Sequence, residues 1–328
     1  MVEKTMSMVL TTSFATTIEL ELKRVEARLL EIVSIGQAVI DEKVRALIRA
    51  GGKRLRPSLA LHSGRMFGAD PGRTLVVAAG IELLHTATLV HDDLVDNAAE
   101  RRGASTLNAS LPAGIVVLTG DFLFAQAAGL VSEAEHLGVV QAFARALSEI
   151  CRGELLQAQS KNTLVSMEDY YQRIYGKTAA LFRTAAASGA MLSDASPQQI
   201  HALEEYGRLL GMAFQIVDDT LDLTSNAEKL GKPIGHDLRE GIVSLPVLIY
   251  HAQNRANGTL KRVIAGQASE EQIAAVIQDI RASGAIDQAL DIAQDFARQA
   301  RDALAIAPDG PARQALIEMT YFAVNRDR

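Results

Sequence analysis

Apolar residues recur at helical spacing through most of this chain. From Ile18 to Ile48 they return every three or four positions with charged residues between them, as on a helix that buries one face. Residues 115–134 are almost wholly apolar and small, which indicates a helix buried on most sides. The sequence contains no clear period-2 run of β-branched residues typical of a strand. The pattern therefore predicts an all-α fold, a bundle of about ten or more helices with a site in its core.

Glycine and proline mark the ends of the predicted helices. Gly51-Gly52 ends one segment, and Pro57 suits the first turn of the next helix. Residues 225–244 are charged and interrupted by glycines, so we expect a long loop there, and such loops often carry function. Residues 1–17 are polar and mixed, which predicts a flexible N-terminal arm. No composition break marks a linker, so residues 18–328 are predicted to form one domain.

A cluster of acids stands inside an apolar helix between Gly80 and Gly103. Its members are Asp92, Asp93 and Asp96. Positions four apart share one helix face, so Asp92 and Asp96 point the same way and repel each other. A divalent cation removes this conflict, and magnesium often uses one or two carboxylates together with substrate phosphates. A solvated acidic face is the alternative, because this pattern alone is weak.

The same spacing returns about two-thirds of the way along the chain. There the stretch FQIVDDTLD contains Asp218, Asp219 and Asp222. A basic stretch, GGKRLRP, stands at Gly51–Pro57. Two acidic clusters in apolar helices together with a basic cluster are hard to explain as solvated faces. The combination predicts two carboxylate-rich helices that face each other across a cleft and share magnesium with a diphosphate.

Composition narrows the class of protein. The 328 residues are 48% hydrophobic and 22% charged, which is enough to bury a sizeable core. A net charge of −6 argues against nucleic acid as the main partner. Cys151 is the single cysteine; we expect it to be a small buried hydrophobe in a reducing cytosol. The sequence lacks a signal-peptide pattern and an unbroken apolar run of membrane-spanning length, so no membrane span is predicted.

Five stretches, in this order, carry a resemblance: GGKRLRP, LVHDDLVDNAAERRG, GKTAALF, FQIVDDTLD and GKPIGHDLREG. From about residue 18 onward the chain resembles the all-trans polyprenyl diphosphate synthases, which have the class I isoprenoid synthase fold with the active site in a central cavity. The resemblance implies a cytoplasmic, magnesium-dependent prenyltransferase that condenses isopentenyl diphosphate with an allylic diphosphate such as farnesyl or geranylgeranyl diphosphate. It also implies a homodimer.

The resemblance assigns roles to individual residues. About three magnesium ions would be held by Asp92, Asp96 and Asp218, with Asp219 and Asp222 supporting or also contacting metal. The metal-free pocket for isopentenyl diphosphate would consist of Lys53, Arg56, His85 and Arg102. Contacts to the allylic diphosphate would come from Arg101, Lys177, Thr178, Gln215 and Lys232, of which Lys177 is also catalytic. The leaving pyrophosphate would take the proton, so no side-chain base is named.

Product length is predicted from the turn before the first acidic cluster. Ala87 and Thr88 lie about one helical turn upstream of Asp92 and would line the tunnel for the growing chain. Both are small, where short-chain members of the family commonly have bulky aromatic residues. This predicts a long product of roughly C30–C50, with geranylgeranyl diphosphate as the alternative. One departure is Ile242, at a position where many relatives have a basic residue.

Three other classes compete with this interpretation. A non-catalytic subunit would have lost its aspartates, yet all six are present. A class I terpene cyclase would lack the basic pocket and usually replaces the second aspartate cluster. An HD-type phosphohydrolase could use His91-Asp92 with His62, His85 and Asp237, but it would leave the second cluster unexplained. An assay with farnesyl and isopentenyl diphosphates separates these classes.

Overall fold

The computed structural model describes residues 14–101, 104–224, 233–254 and 257–326. Within these ranges nearly all regular structure is helical, which confirms the predicted all-α class. The helices are α1 Glu19–Ile32, α2 Ala38–Arg49, α3 Leu55–Met66, α4 Pro71–Val95, α5 Ala113–Ser132, α6 Leu137–Ser160, α7 Met167–Ile174, α8 Ala180–Met191, α9 Pro197–Thr224, α10 His236–Arg239, α11 Leu245–Gln253, α12 Gly258–Ile264, α13 Glu270–Ala282, α14 Ala285–Ala303 and α15 Pro311–Val324. A π-helix at Tyr175–Ala179 joins α7 to α8, and a 3₁₀ turn at Leu304–Ile306 follows α14.

Strand structure in the described residues is limited to one short hairpin. β1 (Glu100–Arg101) pairs antiparallel with β2 (Ala104–Ser105). Residues 96–99 separate the hairpin from the end of α4. Its residue Arg101 contacts Asp93 of the helix that carries the first acidic cluster.

The chain divides into two compact units. Unit 1 comprises Met1–Leu147, Leu181–Gly207 and Ala303–Met319, and unit 2 comprises Ser148–Ala180, Arg208–Asp302 and Thr320–Arg328. In unit 1, α4 packs against α1, α3 and α5. Its apolar residues are buried along nearly its whole length, because it is covered on several sides. In unit 2, α11 packs on α7 and α13, around a core of aliphatic residues from these helices.

Local sequence explains where the helices of the site begin. Asp70 caps α4 by accepting a hydrogen bond of 2.8 Å from the Arg73 backbone N–H, and Pro71 stands at the first helical position. Ser166 and Asp169 form a capping box at the start of α7. The sequence has two acids after this serine, Glu168 and Asp169, and the structure identifies Asp169 as the one in the capping box.

The described end of the predicted N-terminal arm is packed. Phe14 is 1% exposed, and its carbonyl oxygen lies 2.9 Å from Nε2 of His62. Phe14 thus belongs to the core of unit 1 rather than to a loose segment. Residues 1–13 lie outside the described residues, so the rest of the predicted arm stays a prediction.

Two described helices are long and apolar enough to cross a membrane by length and composition alone. They are Pro71–Val95 and Ala113–Ser132, with 67% and 39% of their most apolar windows buried inside the protein. A core helix of a globular protein passes the same test, so this is weak evidence for a span. Burial of Pro71–Val95 against three other helices accounts for its composition.

Candidate active site

The first acidic cluster lies at the C-terminal end of α4, where its three carboxylates have different surroundings. Asp92 is half-buried and Asp96, which ends the helix, is exposed. Asp93 is only 3% exposed. Asp93 lies about 100° around the helix from Asp92, so it meets different neighbours. Asp92 and Asp96 are thus the two accessible acids of this cluster.

Asp93 forms an ion pair with the hairpin. Nε of Arg101 donates a hydrogen bond of 2.7 Å to Oδ1 of Asp93. The guanidinium of Arg101 thereby fixes the hairpin to α4, and its predicted contact with the allylic diphosphate stays a prediction. Arg102, predicted for the isopentenyl diphosphate pocket, lies outside the described residues.

The three cationic side chains of the basic turn between α2 and α3 differ in their burial and in their contacts. Lys53 is exposed, and Arg56 is half-buried with its guanidinium carbon 4.7 Å from the centre of the Phe182 ring. Arg54 forms a buried ion pair with Glu82 at 2.7 Å. Sequence reasoning assigned no role to Arg54 or Glu82, since nothing in the spacing marks a partner 28 positions away.

A cavity of about 280 Å³ opens beside this turn within unit 1. One face of α4 lines it, through positions 82, 85, 86, 89 and 93. His85 is half-buried on this face, and its predicted contact with a diphosphate stays a prediction. Arg54 and Arg101 reach the same cavity from the turn and the hairpin. The cavity thus collects two arginines, each of which forms an ion pair with a carboxylate of α4.

Asp218 is the accessible acid of the second cluster, on α9 in unit 2. Its side chain is 40% exposed and forms an ion pair of 2.7 Å with Nη1 of Arg326. Arg326 also donates to the carbonyl of Phe214 at 2.7 Å and lies 3.6 Å from the centre of the Phe214 ring. Sequence reasoning missed Arg326, because a cation two residues from the end of the chain gives no signal of proximity to α9.

Asp219 is buried and holds a polar network together. It accepts hydrogen bonds of 2.7 Å from the Tyr170 hydroxyl and 2.8 Å from Nε2 of Gln215. Gln215 in turn accepts 2.6 Å from the Thr178 hydroxyl. Burial, and then the nearby charge of Asp237, raise the pKa of Asp219 to about 7. Thr178 and Gln215 were predicted to contact the allylic diphosphate; in this structure they support Asp219.

Asp222, predicted as a metal ligand, anchors the N-terminus of α10. Its two carboxylate oxygens accept the backbone N–H groups of His236 and Asp237, at 3.1 and 3.2 Å. Burial and the charge of Asp237 raise its pKa to about 7. The metal-binding role of Asp222 stays a prediction. Ile242, the departure from the family pattern, is half-buried a few residues further on.

Lys177 lies in the π-helix, a rare element that often marks functional positions. Its ammonium group lies 2.9 Å from Oε1 of Glu154 and 3.3 Å from Oε1 of Gln157. A Cβ atom added to Gly153 would lie 2.6 Å from the backbone N of Lys177, and one added to Gly176 would lie 2.6 Å from the carbonyl of Glu149. The two glycines thus let α6 approach the π-helix closely enough to hold the lysine.

The remaining predicted residues fall into three groups. Ala87 is fully buried and Thr88 is half-buried, and their role in product length stays a prediction. Lys232 lies outside the described residues. Cys151 is exposed rather than buried; it lies on a face of α6 that the local packing leaves uncovered, so this prediction was wrong.

Within the described ranges, no group of three or more His, Cys, Asp or Glu side chains is close enough together to hold a metal ion. The histidines and aspartates named for the phosphohydrolase alternative form no such group within these ranges. His62 is buried against the carbonyl of Phe14, whereas Nε2 of His91 lies 3.1 Å from the carbonyl of Val117. These two histidines therefore have separate surroundings.

Comparison with known proteins identifies the protein family to which the chain belongs. Residues 37–280 match the polyprenyl synthetase family. The chain is 36% identical to octaprenyl diphosphate synthase of Escherichia coli (strain K12) over 307 residues, 93% of this chain and 95% of that protein.

Solved structures of other proteins superpose on nearly the full length of this chain. A polyprenyl synthase from Caulobacter crescentus CB15, complexed with calcium and isoprenyl diphosphate, superposes with a TM-score of 0.92 at 36% identity, covering 96% of this chain and 98% of that one. A decaprenyl diphosphate synthase from Rhodobacter capsulatus gives 0.90 at 36% identity, covering 97% and 99%. The fold is therefore that of the isoprenoid synthases. The chain belongs to the polyprenyl synthetase family and is a prenyltransferase.

Proposed function

We propose that this enzyme condenses isopentenyl diphosphate with an allylic diphosphate, with magnesium, to make a long-chain all-trans polyprenyl diphosphate. The observation that carries the proposal is the full-length similarity to two long-chain synthases, of octaprenyl and decaprenyl diphosphate. The similarity to a synthase that was solved with calcium and isoprenyl diphosphate supports the use of a divalent cation.

The reaction breaks one C–O bond and one C–H bond, and it forms one C–C bond. The allylic C–O bond breaks and its electron pair leaves with the diphosphate. The double bond of isopentenyl diphosphate then attacks the allylic cation, and a proton is lost to the departing pyrophosphate. Magnesium, when bound, neutralises the charge that develops on the leaving group.

Magnesium binding is assigned to Asp92 and Asp96 in unit 1 and to Asp218 in unit 2. Their carboxylates are half-buried or exposed, and hard oxygen ligands of this kind suit magnesium. Asp219 and Asp222 are occupied by the internal hydrogen bonds described above. Magnesium usually keeps several waters and takes phosphate oxygens, so one or two carboxylates from each cluster suffice.

The isopentenyl diphosphate pocket is assigned to Lys53, Arg56, His85 and Arg102. Exposure of Lys53 beside the N-terminus of α3, where backbone donors favour anions, supports this role. His85 lines the neighbouring cavity. Lys177, Thr178, Gln215 and Lys232 remain assigned to the allylic diphosphate, and the ion pair with Glu154 keeps Lys177 extended toward α6.

A long product is favoured by the small side chains at positions 87 and 88. The chain has only 5% aromatic residues and no tryptophan, so it has few bulky groups that can stop a growing polyprenyl chain. Burying each added methylene-sized group is favourable by about 0.8 kcal/mol. An apolar tunnel without such a stop therefore favours continued growth over release.

A second copy of the chain is the proposed partner, and the cytoplasm the proposed compartment. Helix α5 supports the dimer, since it exposes several large apolar side chains: Ile115, Val117 and Leu118 are 36%, 40% and 65% exposed. Contiguous exposed apolar surface of this kind is typical of an interface. Leu118→Glu is expected to convert the dimer to monomers in sedimentation velocity, while the exposed Leu20→Glu is not. A monomeric wild type contradicts the dimer.

The proposed function is tested by pyrophosphate release. The purified chain is incubated with farnesyl diphosphate, isopentenyl diphosphate and magnesium, and each component is omitted in turn. We expect release only when all three are present, and its loss on chelation with EDTA. Release without isopentenyl diphosphate indicates a cyclase or a hydrolase instead, and no release in the complete mixture contradicts the proposal.

A further inference from the structure

The basic turn between α2 and α3 has an unusual backbone. Arg54 has φ 51°, ψ 39°, the left-handed region, directly before α3 begins at Leu55. A side chain with a Cβ atom adopts this conformation only when its surroundings enforce it. Lys53 and Arg56, the proposed diphosphate ligands, lie on either side of this residue. Whatever enforces the conformation of Arg54 therefore also sets the direction of both cations.

The guanidinium group of Arg54 is held from two sides. Nη1 donates 2.7 Å to Oε1 of Glu82, and Nη2 donates 2.5 Å to the carbonyl of Ile48 near the end of α2. A Cβ atom on Gly51 would lie 2.4 Å from the guanidinium, so the chain is folded closely over it. The carbonyl of Arg54 accepts the N–H and hydroxyl of Ser58, at 3.0 and 2.8 Å. The turn is thus built around the Arg54 side chain.

Glu82 is the buried carboxylate that holds the guanidinium group of Arg54 in place. It lies in the middle of α4 and is 5% exposed, between Ile81 and Leu83, which are fully buried. A carboxylate in such a place is strongly unfavourable unless an opposite charge and hydrogen bonds match it. The side chains of Glu82 and Arg54 are 7% and 13% exposed, so solvent screens the pair weakly. Removing either partner leaves the other charge buried and unmatched.

We infer that Glu82 is a positioning residue for the isopentenyl diphosphate pocket. Through the buried ion pair it holds Arg54 in the left-handed conformation, and Arg54 in turn directs Lys53 and Arg56 toward the substrate. The guanidinium of Arg54 is occupied by Glu82 and the Ile48 carbonyl, and it thereby anchors the turn. This inference rests on the proposed function, since it assigns the turn to that substrate.

The test compares Glu82→Gln with the wild type. Glutamine has the same shape and can still accept a hydrogen bond, but it has no charge to match Arg54. We expect the KM for isopentenyl diphosphate to rise about tenfold, the loss of roughly one charge-assisted contact. The KM for the allylic primer and kcat should stay within about twofold, because the aspartates are untouched.

Two further variants separate positioning from general destabilisation. Asp41 is another buried carboxylate of unit 1, and it accepts the Ile35 N–H at 2.7 Å and the Ser34 hydroxyl at 2.8 Å. Asp41→Asn should lower the Tm without changing the KM for isopentenyl diphosphate. Arg54→Lys keeps the charge but loses the two-pronged geometry. It should raise that KM by an intermediate factor, and it decides the question if Glu82→Gln does not fold.

A double-mutant cycle gives the sharpest result. If Glu82 acts through the turn, Lys53→Ala should raise the KM for isopentenyl diphosphate by a smaller factor in the Glu82→Gln background than in the wild type. Full additivity, or an equal rise in both substrate KM values, overturns the inference while leaving the synthase assignment intact. A wild-type chain that does not consume isopentenyl diphosphate overturns the proposed function itself.

Discussion

The buried histidine His62 gives the protein a specific sensitivity to acid. It lies on α3 and is 1% exposed. Nε2 donates to the carbonyl of Phe14 at 2.9 Å, while Nδ1 has no hydrogen-bond partner. A second proton, on Nδ1, would therefore place an unmatched charge in the core. Burial, assisted by the nearby charge of Arg65, lowers the pKa of His62 from 6.5 to about 4.

The direction and size of the effect follow from this shift. Below pH 6.5 the unfolded chain binds a proton at this position that the folded protein does not bind until about pH 4. Stability is therefore fully present above pH 6.5 and falls as the pH is lowered toward 4. At 1.36 kcal/mol for each pH unit, the loss is about 3 kcal/mol.

Urea unfolding at pH 7.0 and pH 4.5 measures this contribution. His62→Gln keeps a donor for the Phe14 carbonyl but cannot bind a proton, so it should lose about 2.5 kcal/mol less than the wild type between these two pH values, which cover most of the full shift. Other titrating groups are shared by both proteins and cancel in the difference. Parallel losses in wild type and variant would show that His62 does not resist protonation in the folded state.

Three further predictions concern the active site. Asp92→Ala and Asp218→Ala should each lower kcat by at least about a hundredfold in the pyrophosphate assay, because each removes a proposed magnesium ligand. Lys53→Ala and Arg56→Ala should raise the KM for isopentenyl diphosphate about tenfold to a hundredfold, and the KM for the primer less, since they remove charge-assisted contacts. Ala87→Phe should shorten the product to roughly C15–C20, measured by mass spectrometry, because the ring would block the tunnel.

Each has a matched control and a contradicting result. Asp287→Ala removes an exposed acid from α14 and should leave kcat unchanged; near-wild-type kcat in the Asp92 and Asp218 variants would contradict the metal assignment. Equal effects on both KM values would contradict two separate diphosphate pockets. Ala87→Ser should leave product length unchanged, and an unaltered product from Ala87→Phe would show that the tunnel does not pass this position.

Helical periodicity was sufficient to predict the all-α fold class and the common face of Asp92 and Asp96. The four-residue spacing placed Asp92 and Asp96 on one face and turned Asp93 away, as the structure has it. Local signals also placed Pro57 in the first turn of α3. Such features depend on neighbours within one or two turns, which a sequence displays directly.

The sequence patterns did not reveal contacts between residues that lie far apart along the chain. Asp218 and Asp222 have the same sequence spacing as Asp92 and Asp96, yet Asp222 binds the backbone of α10 and Asp218 pairs with Arg326. The partners lie 14 and 108 positions away, and only tertiary packing brings them together. The same holds for Cys151, whose exposure is decided by what covers α6 rather than by its own helix.

The central claim is that this chain extends an allylic diphosphate by five-carbon units. Mass spectrometry of the dephosphorylated products, after incubation with farnesyl diphosphate, isopentenyl diphosphate and magnesium, tests it most directly. We predict a series of all-trans polyprenols spaced by one isoprene unit and ending at roughly C30–C50. Recovery of farnesol or a cyclic C15 hydrocarbon alone, with isopentenyl diphosphate unconsumed, would contradict the claim.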